Sequence, residues 1–246
     1  MDLKRLAKKI IGERRWARFK FLPLAALGAL DHFRSVRNTL GGPLNGQTFR
    51  EQIFLELIRR IGFSAIVETG TFRGETTEYL HRTSRLPVYT VETHPRYYAY
   101  TKMRFLKSGG ITTHYGDSRS FLRSLAQDPA LVQRRIFFYL DDNWGEDLPW
   151  REEVQIIFEN YPRAVVMVDD FKVPNDEEYR YVNYGEGKAL CLEYLDPLNE
   201  RLKLASFFPA KRAELETGEK RGCVVLARAT DLIEKLRDMN VLVSKG

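Results

Sequence analysis

The residues in this sequence that could do chemistry are carboxylates and glycines at the ends of predicted strands. Residues 66–80, IVETGTFRGETTEYL, read as a strand, a loop containing Gly70 and Gly74, and the start of a helix. A dinucleotide-binding loop has a glycine where this chain has Glu68, because its backbone must approach a pyrophosphate. A carboxylate there repels phosphate and suits a ligand with an ammonium group. Taken alone, the pattern also fits an ordinary strand-to-helix turn.

Two further acidic positions follow at the ends of the next two predicted strands. VYTVE ends in Glu92, where a carboxylate can accept hydrogen bonds from both hydroxyls of a ribose. HYGDS places Asp117 and Ser118 after the third strand, within reach of an adenine amino group. Open α/β sheets bind ligands at the carboxyl ends of their strands. The three positions therefore describe a ligand with an amine, a ribose and a base but no phosphate, a composition that S-adenosylmethionine has.

A second acidic cluster is predicted from two later strands. FFYLDD ends in Asp141 and Asp142, and AVVMVDD ends in Asp169 and Asp170. If these strands are neighbours, their ends lie about 5 Å apart, and Asp141, Asp169 and Asp170 converge. Clustered carboxylates repel one another unless a cation compensates them, and oxygen ligands suit Mg²⁺ or another divalent cation. The alternative is that one aspartate pairs with a nearby arginine or caps a helix while the others face water.

The elements that must position these residues alternate along the chain. Apolar strands are predicted at AIVET, VYTVE, ITTHYG, RIFFYLD and AVVMVDD, and amphipathic helices separate them. This alternation is typical of a parallel sheet covered on both faces. Two later apolar runs, LKLASFFP and GCVVLAR, leave no room for a crossover helix and should pair antiparallel. We therefore predict one α/β domain.

The positive charge of the chain is concentrated at its start. The formal net charge is +6, and residues 1–20 alone hold eight basic and two acidic residues. Because the remainder is neutral, the sequence lacks the broad basic surface typical of nucleic-acid binding, and we expect no nucleic-acid partner. We predict a basic amphipathic helix at the start that packs on the domain or on a second copy in a homodimer. The alternative is peripheral attachment of residues 1–20 to an anionic membrane surface.

The cysteines and the apolar runs bear on location. Cys191 and Cys223 lie far apart in apolar stretches, without the spacing of a zinc site or a disulfide framework, which is typical of a reducing compartment. The run FLPLAALGAL has about half of the ~20 residues that a membrane-spanning helix needs. We therefore expect a cytoplasmic protein.

The motifs VETGTFRG, YTVE, GDS and FFYLD resemble those of the class I S-adenosylmethionine-dependent methyltransferases, over roughly residues 44–227. The resemblance implies a Rossmann-like α/β domain over residues 44–246, preceded by a helical extension over residues 1–43. It also implies a seven-stranded, mostly parallel sheet of order 3-2-1-4-5-7-6 with an antiparallel last strand. Gln47 matches a segment that folds over the cofactor in relatives. The residues that the resemblance assigns to the cofactor are Glu68, Thr69, Gly70 and Gly74 at the methionine end, Glu92 at the ribose, and Asp117 and Ser118 at the adenine.

The two aspartate pairs are similar to those of metal-dependent small-molecule O-methyltransferases, particularly the macrocin type, which modifies sugar hydroxyls, and more distantly catechol O-methyltransferase. This resemblance implies that Asp141, Asp169 and Asp170 bind a divalent cation, which lowers the pKa of the acceptor oxygen and aligns it with the methyl group. In the macrocin type, an aspartate two positions after the first ligand is the proposed base. Here that position is Asn143, which cannot take a proton. Asp142, a metal-bound hydroxide or a residue of the following loop could replace it; the alternatives are that the acceptor differs or that activity is lost.

We therefore predict methyl transfer to a hydroxyl of a small-molecule acceptor. Two alternatives stay open at this point. One is a metal-independent methyltransferase that acts on nitrogen or on a macromolecule. The other is a non-catalytic binding module that keeps the fold and uses the basic N-terminal helix.

Overall fold

The strands follow one another at short intervals along the chain. The computed structural model describes residues 13–36, 42–142 and 148–244. The strands in these residues are β1 Ala65–Thr69, β2 Val88–Glu92, β3 Ile111–Tyr115, β4 Ile136–Leu140, β5 Ala164–Asp169, β6 Ala205–Pro209, β7 Cys223–Ala227 and β8 Leu242–Ser244. They form one sheet in the order β3-β2-β1-β4-β5-β7-β6-β8.

Helices precede, connect and follow the strands. They are α1 Glu13–Val36, α2 Thr48–Ile61, α3 Glu75–Ser84, α4 Pro95–Arg104, α5 Ser118–Leu125, α6 Pro129–Val132, α7 Trp150–Asn160, α8 Leu192–Leu202 and α9 Thr230–Arg237. Two short 3-10 helices, Pro43–Gly46 and Ala213–Leu215, lie in loops. The sequence did not lead us to predict α9 or the short α6.

The predicted sheet is confirmed in its strand order and corrected in its size. β1 pairs in parallel with β2 and β4, β2 with β3, and β4 with β5. β7 is antiparallel to both β5 and β6, as expected. The prediction of seven strands is wrong, because the described residues form eight: β8 adds antiparallel to the outer edge of β6. β8 has three residues, two of them exposed, so it lacks the apolar length by which the other strands were predicted.

The central strands are buried on both faces of the sheet. One core, which includes residues of α7, contains Val67 and Phe138. The other, which includes residues of α2, contains Ile66 and Phe137. Helices therefore cover both faces, as the uninterrupted apolar strands predicted. Because side chains alternate between the two cores, burial fixes the register of each strand and the positions of the residues at its carboxyl end.

α1 packs against α4. The ring of Phe21 contacts those of Tyr98 and Tyr115, with centroids 5.6 and 6.3 Å apart, and Asp31 pairs with Arg96 at 2.8 Å. The predicted N-terminal helix is present over residues 13–20, whereas residues 1–12 and 37–41 lie outside the described residues. In the part of the chain that the structure describes, no helix is both long and apolar enough to span a membrane.

Candidate functional site

A pocket opens where β1, β4 and β5 end. Its volume is about 240 Å³, several times the roughly 30 Å³ of one water molecule, so it can admit part of a small organic ligand. Among the residues predicted from sequence, Gly70, Asp141 and Asp170 line it together. Phe72 and Arg73, from the loop after β1, also line the pocket and were not predicted.

The two glycines of the loop after β1 have different surroundings. Gly70 has a φ of +86°, and a Cβ atom there would lie 2.4 Å from the carbonyl oxygen of Asp141. The loop can therefore approach the end of β4 only with glycine at this position. Gly74 has a φ of +80° where α3 begins, and a Cβ atom there would lie 2.6 Å from the ring of Phe105. Gly74 thus lets the loop pack against the chain that follows α4.

Glu68 is buried behind the pocket rather than on its surface. Its Oε2 atom accepts hydrogen bonds from the hydroxyls of Thr77 and Thr90. The hydroxyls of Thr90 and Thr71 lie 2.6 Å apart, and Thr71 lines the pocket. Burial raises the pKa of Glu68 from 4.5 to about 7. A chain of hydroxyls therefore joins this carboxylate to the pocket. The neighbouring Thr69 is also buried, and its carbonyl oxygen accepts the backbone N–H of Asp141.

Glu92 holds the loop that lines the pocket. Its Oε2 atom accepts the backbone N–H of Phe72, and its Oε1 atom accepts that of His94, both at 2.7 Å. Burial raises its pKa from 4.5 to about 7. The ring of Phe72 stacks edge-on against Tyr97, with centroids 4.5 Å apart. Glu92 is thus tied to the pocket through the backbone of Phe72, and the aromatic contacts keep that segment in place.

Asp117 and Ser118 occupy the start of α5, one strand further along the sheet. Asp117 caps the helix by accepting the backbone N–H of Ser120 at 3.0 Å. It also pairs with Arg119 at 2.8 Å, and hydrogen bonds from that guanidinium lower the pKa of Asp117 below its usual 3.8. Ser118 is buried. Neither residue is among those that line the pocket.

A buried glutamate that was not predicted lies beside Ser118. Glu153 is on the first turn of α7 with 0% exposure, and burial raises its pKa from 4.5 to about 8, although the hydroxyls of Ser118 and Thr69 favour the ionised form. The helical period of the sequence indicates that Glu153 is buried. Glu153 precedes Ile157 by four positions, and residues at this spacing share the buried side of a helix.

Asp141, Asp169 and Asp170 lie close together, as predicted. Burial and the nearby charges of Asp169 and Asp170 raise the pKa of Asp141 well above 3.8. Asp142 is also buried, and its charge contributes to the raised pKa values of Glu92 and Glu153. Asn143, the position where the macrocin type has its proposed base, lies outside the described residues.

Asp169 is surrounded by hydrogen-bond donors of the chain. Its Oδ1 atom accepts from the guanidinium of Arg50 and from the backbone N–H of Asp170, the latter at 2.6 Å. Its Oδ2 atom accepts from the hydroxyl of Tyr139 and from the amide of Asn45, the latter at 3.0 Å. A carboxylate offers about four acceptor positions, and these donors fill them.

Two arginines and Gln47 organise the ends of β5 and β7. Asp170 pairs with Arg221 at 2.9 Å. Gln47 donates to the carbonyl of Arg221 at 2.8 Å and accepts its backbone N–H at 2.7 Å. Gln47 therefore secures the segment before β7 and is not among the residues that line the pocket. Arg50 was not predicted, although it lies three, four and seven positions before buried apolar residues of α2, which places it on the buried face of that helix.

Comparison with solved structures places this architecture among known folds. An O-methyltransferase from Bacillus cereus in complex with S-adenosylhomocysteine (SAH) superposes with a TM-score of 0.53 and 13% identity, covering 92% of this chain and 97% of that chain. The O-methyltransferase TomG from Streptomyces achromogenes, involved in tomaymycin synthesis and bound to S-adenosylmethionine (SAM), gives 0.50 and 16%, covering 72% and 78%. The chain has a methyltransferase fold. No protein-family model and no curated protein matches the sequence.

The contacts of the acidic cluster do not fit the predicted divalent cation. In the described part of the chain, no group of three or more His, Cys, Asp or Glu side chains is arranged to hold a metal ion. The physical reason is visible at Asp169 and Asp170, which already pair with Arg50 and Arg221. This arrangement is the alternative in which an aspartate of the cluster pairs with a nearby arginine.

Proposed function

We propose that the chain transfers a methyl group from SAM to a hydroxyl of a small molecule. The observation that carries the proposal is the buried carboxylate of Glu92 at the end of β2, which is tied through Phe72 to the pocket beside Gly70. An acidic acceptor at this place in an open α/β sheet suits the hydroxyls of a ribose. The methyltransferase fold supports the proposal, as do the O-methyltransferases with bound SAM or SAH that share it.

In this proposal each part of SAM has its own residues. Glu92 would accept the ribose hydroxyls, and the region around Asp117 and Ser118 would take the adenine. The loop with Gly70 would hold the methionine end, where the negative charge of Glu68 behind the pocket favours an ammonium group. Bound SAM supplies an electrophilic methyl group on a sulfonium centre.

Asp141 is the residue best placed to receive the proton of the acceptor hydroxyl. It lines the pocket, and its raised pKa makes it a stronger base than an ordinary aspartate. Transfer would form a bond between the acceptor oxygen and the methyl carbon, break the carbon–sulfur bond, and leave the hydroxyl proton on Asp141. Asp142, the candidate base from the sequence, is its buried neighbour and the second choice. The predicted metal assistance is not part of the proposal, because the contacts of Asp169 and Asp170 do not fit it.

Calorimetric titration with SAM and SAH tests the proposal. We expect the unmodified chain to bind both, and Glu92→Gln to bind them tenfold to a hundredfold more weakly, since hydrogen bonds to a charged acceptor contribute about 1.5–3 kcal/mol. Glu234→Gln, at an exposed position of α9, is the matched control and should bind like the parent. The proposal fails if SAM and SAH do not bind at millimolar concentration, or if NAD binds in their place.

We also propose that α1 attaches the protein to an anionic membrane surface. The side of α1 that faces away from α4 exposes Leu22, Pro23, Ala26, Leu27 and Leu30, and at 3.6 residues per turn these five positions fall on one side of the helix. Leu27 and Leu30 are 46% and 54% exposed. The chain before this apolar face carries a net +6 over residues 1–20.

The charge favours a lipid surface over a second copy of the chain at this face. Two copies that joined their apolar faces with parallel helices would bring two strongly basic segments together, and like charges repel. An anionic bilayer attracts each basic residue near its surface by about 1 kcal/mol and also accepts the leucine side chains. This proposal does not depend on methyl transfer.

Co-sedimentation with vesicles tests the attachment. We expect binding to vesicles that contain phosphatidylserine, weaker binding at high salt, and at least tenfold loss in the double variant Leu27→Glu/Leu30→Glu. Leu55→Glu is a matched control, because Leu55 is 44% exposed on α2. Equal binding to vesicles of phosphatidylcholine alone would contradict the charge argument. A dimer in sedimentation velocity that the double variant abolishes would show that a second copy covers the face instead.

A further inference from the structure

The guanidinium of Arg50 is a buried charge with no predicted role. Arg50 lies on α2 and is 1% exposed. One of its terminal nitrogens donates to Oδ1 of Asp169, and the other donates to the carbonyl oxygens of Arg221 and Gly222. The cationic group is thus enclosed by one carboxylate and two backbone carbonyls at the ends of β5 and β7. These are all oxygen ligands of the kind that a hard metal ion also takes.

A divalent cation at Asp169 would have to displace protein contacts. Both oxygen atoms of this carboxylate already accept two donors each, so coordination would break at least one of these hydrogen bonds. The ion would also lie within a few ångströms of the Arg50 guanidinium, where two positive charges repel strongly in a buried environment. Removing Arg50 from its pair would leave an uncompensated guanidinium in the core, which is costly.

We propose that Arg50 is the built-in counter-ion of the acidic cluster formed by Asp141, Asp169 and Asp170, and that it replaces a divalent cation there. The positive charge that a metal would supply at the ends of β4 and β5 comes instead from the Arg50 side chain of α2. The consequence for turnover, insensitivity to chelators, rests on the proposed methyl transfer. Cation binding can be measured without turnover, so the two proposals can fail separately.

The test compares cation binding in the full-length chain and in charge variants. Titration of the unmodified chain with Mn²⁺, followed by the electron paramagnetic resonance signal of the free ion, should show no site with a Kd below about 1 mM. Arg50→Met keeps the unbranched stem of the side chain and removes the guanidinium with its charge. We expect this variant to gain a Mn²⁺ site at least tenfold tighter than any in the parent, and to gain several degrees in Tm when Mn²⁺ is added. Adding Asp169→Asn to it should abolish both gains.

Two outcomes would overturn the proposal. In the first, the unmodified chain binds Mn²⁺ and Asp169→Asn abolishes this binding, which would show that the cation and Arg50 share the cluster. In the other, a folded Arg50→Met variant gains no Mn²⁺ site. Arg60→Met, on the exposed side of the same helix, is the control for a general effect of charge removal. If Arg50→Met does not fold, the titration of the unmodified chain against Asp169→Asn still decides the question.

Discussion

Glu153 offers a quantitative test of the electrostatics around the site. Its carboxyl is fully buried on α7 beside Ser118 and Thr69, and burial raises its pKa from 4.5 to about 8. Between these two pH values the folded chain keeps a proton that the unfolded chain has lost. The free energy of unfolding therefore falls as the pH rises through this window. Glu153→Gln keeps the shape of the side chain and removes the titration.

The size of the effect follows from the two pKa values. Each pH unit between them changes the relative stability of parent and variant by up to about 1.4 kcal/mol. The variant should therefore gain up to about 4 kcal/mol on the parent between pH 5 and pH 8. For a chain of this length, this corresponds to a relative shift in Tm of about 10 °C.

Urea unfolding at pH 5, 6, 7 and 8 measures this difference directly. Glu152→Gln is the matched control, because the carboxylate of Glu152 is next in the sequence, is 56% exposed and pairs with Arg119 and Arg123. We expect the control to stay within about 0.5 kcal/mol of the parent at every pH. If the stability curves of Glu153→Gln and the parent run parallel over the whole range, Glu153 is ionised in the folded chain and the reasoning is refuted.

Three further results are expected. Because the pKa values of Glu68 and Glu92 are about 7, SAM affinity should rise up to about tenfold per carboxylate from pH 6 to pH 8 and level off above pH 8. Calorimetry that shows a flat or falling affinity would contradict the assignment. Gly70→Ala should lower stability by about 1–3 kcal/mol and weaken SAM binding, whereas Gly109→Ala, at a position where a Cβ atom meets nothing within 4 Å, should change neither. Asp141→Asn should lower kcat about 10²- to 10⁴-fold with SAH affinity kept within threefold, and a larger loss of kcat in Asp142→Asn would move the base to that residue.

The parts of the fold that the sequence predicted are those in which local pattern and tertiary environment agree. The apolar run AIVET became β1 and VYTVE became β2 at the predicted residues, because both are continuous, buried and bounded by turns. β8 was missed for a different reason. β8 exists through its pairing with β6, where Phe208 lies opposite Val243, and a three-residue strand carries too little pattern of its own to be recognised.

The candidate site shows the same division. Carboxylates at strand ends could be placed from topology alone, because the carboxyl ends of neighbouring parallel strands share one edge of the sheet. The arginine that neutralises their negative charge could not be placed in this way. Arg50 lies 119 positions before Asp169 in the sequence, and no local pattern connects an arginine in one helix to an aspartate at the end of a distant strand. The helical period shows only that Arg50 faces the core. Its partner Asp169 can be identified only from the packing of α2 beside β5 and β7.

The two acidic regions therefore differ in how their charge is balanced, and this difference bears on ligand choice. At the ends of β4 and β5, Arg50 and Arg221 pair with Asp169 and Asp170. At the ends of β1 and β2, burial raises the pKa of Glu68 and Glu92 to about 7, so their ionised forms gain from a positively charged ligand beside them. A sulfonium and an ammonium in the pocket would supply that charge. The acidic cluster that first indicated a metal is thus paired with arginines, whereas the separate glutamates at the ends of β1 and β2 favour an organic cation.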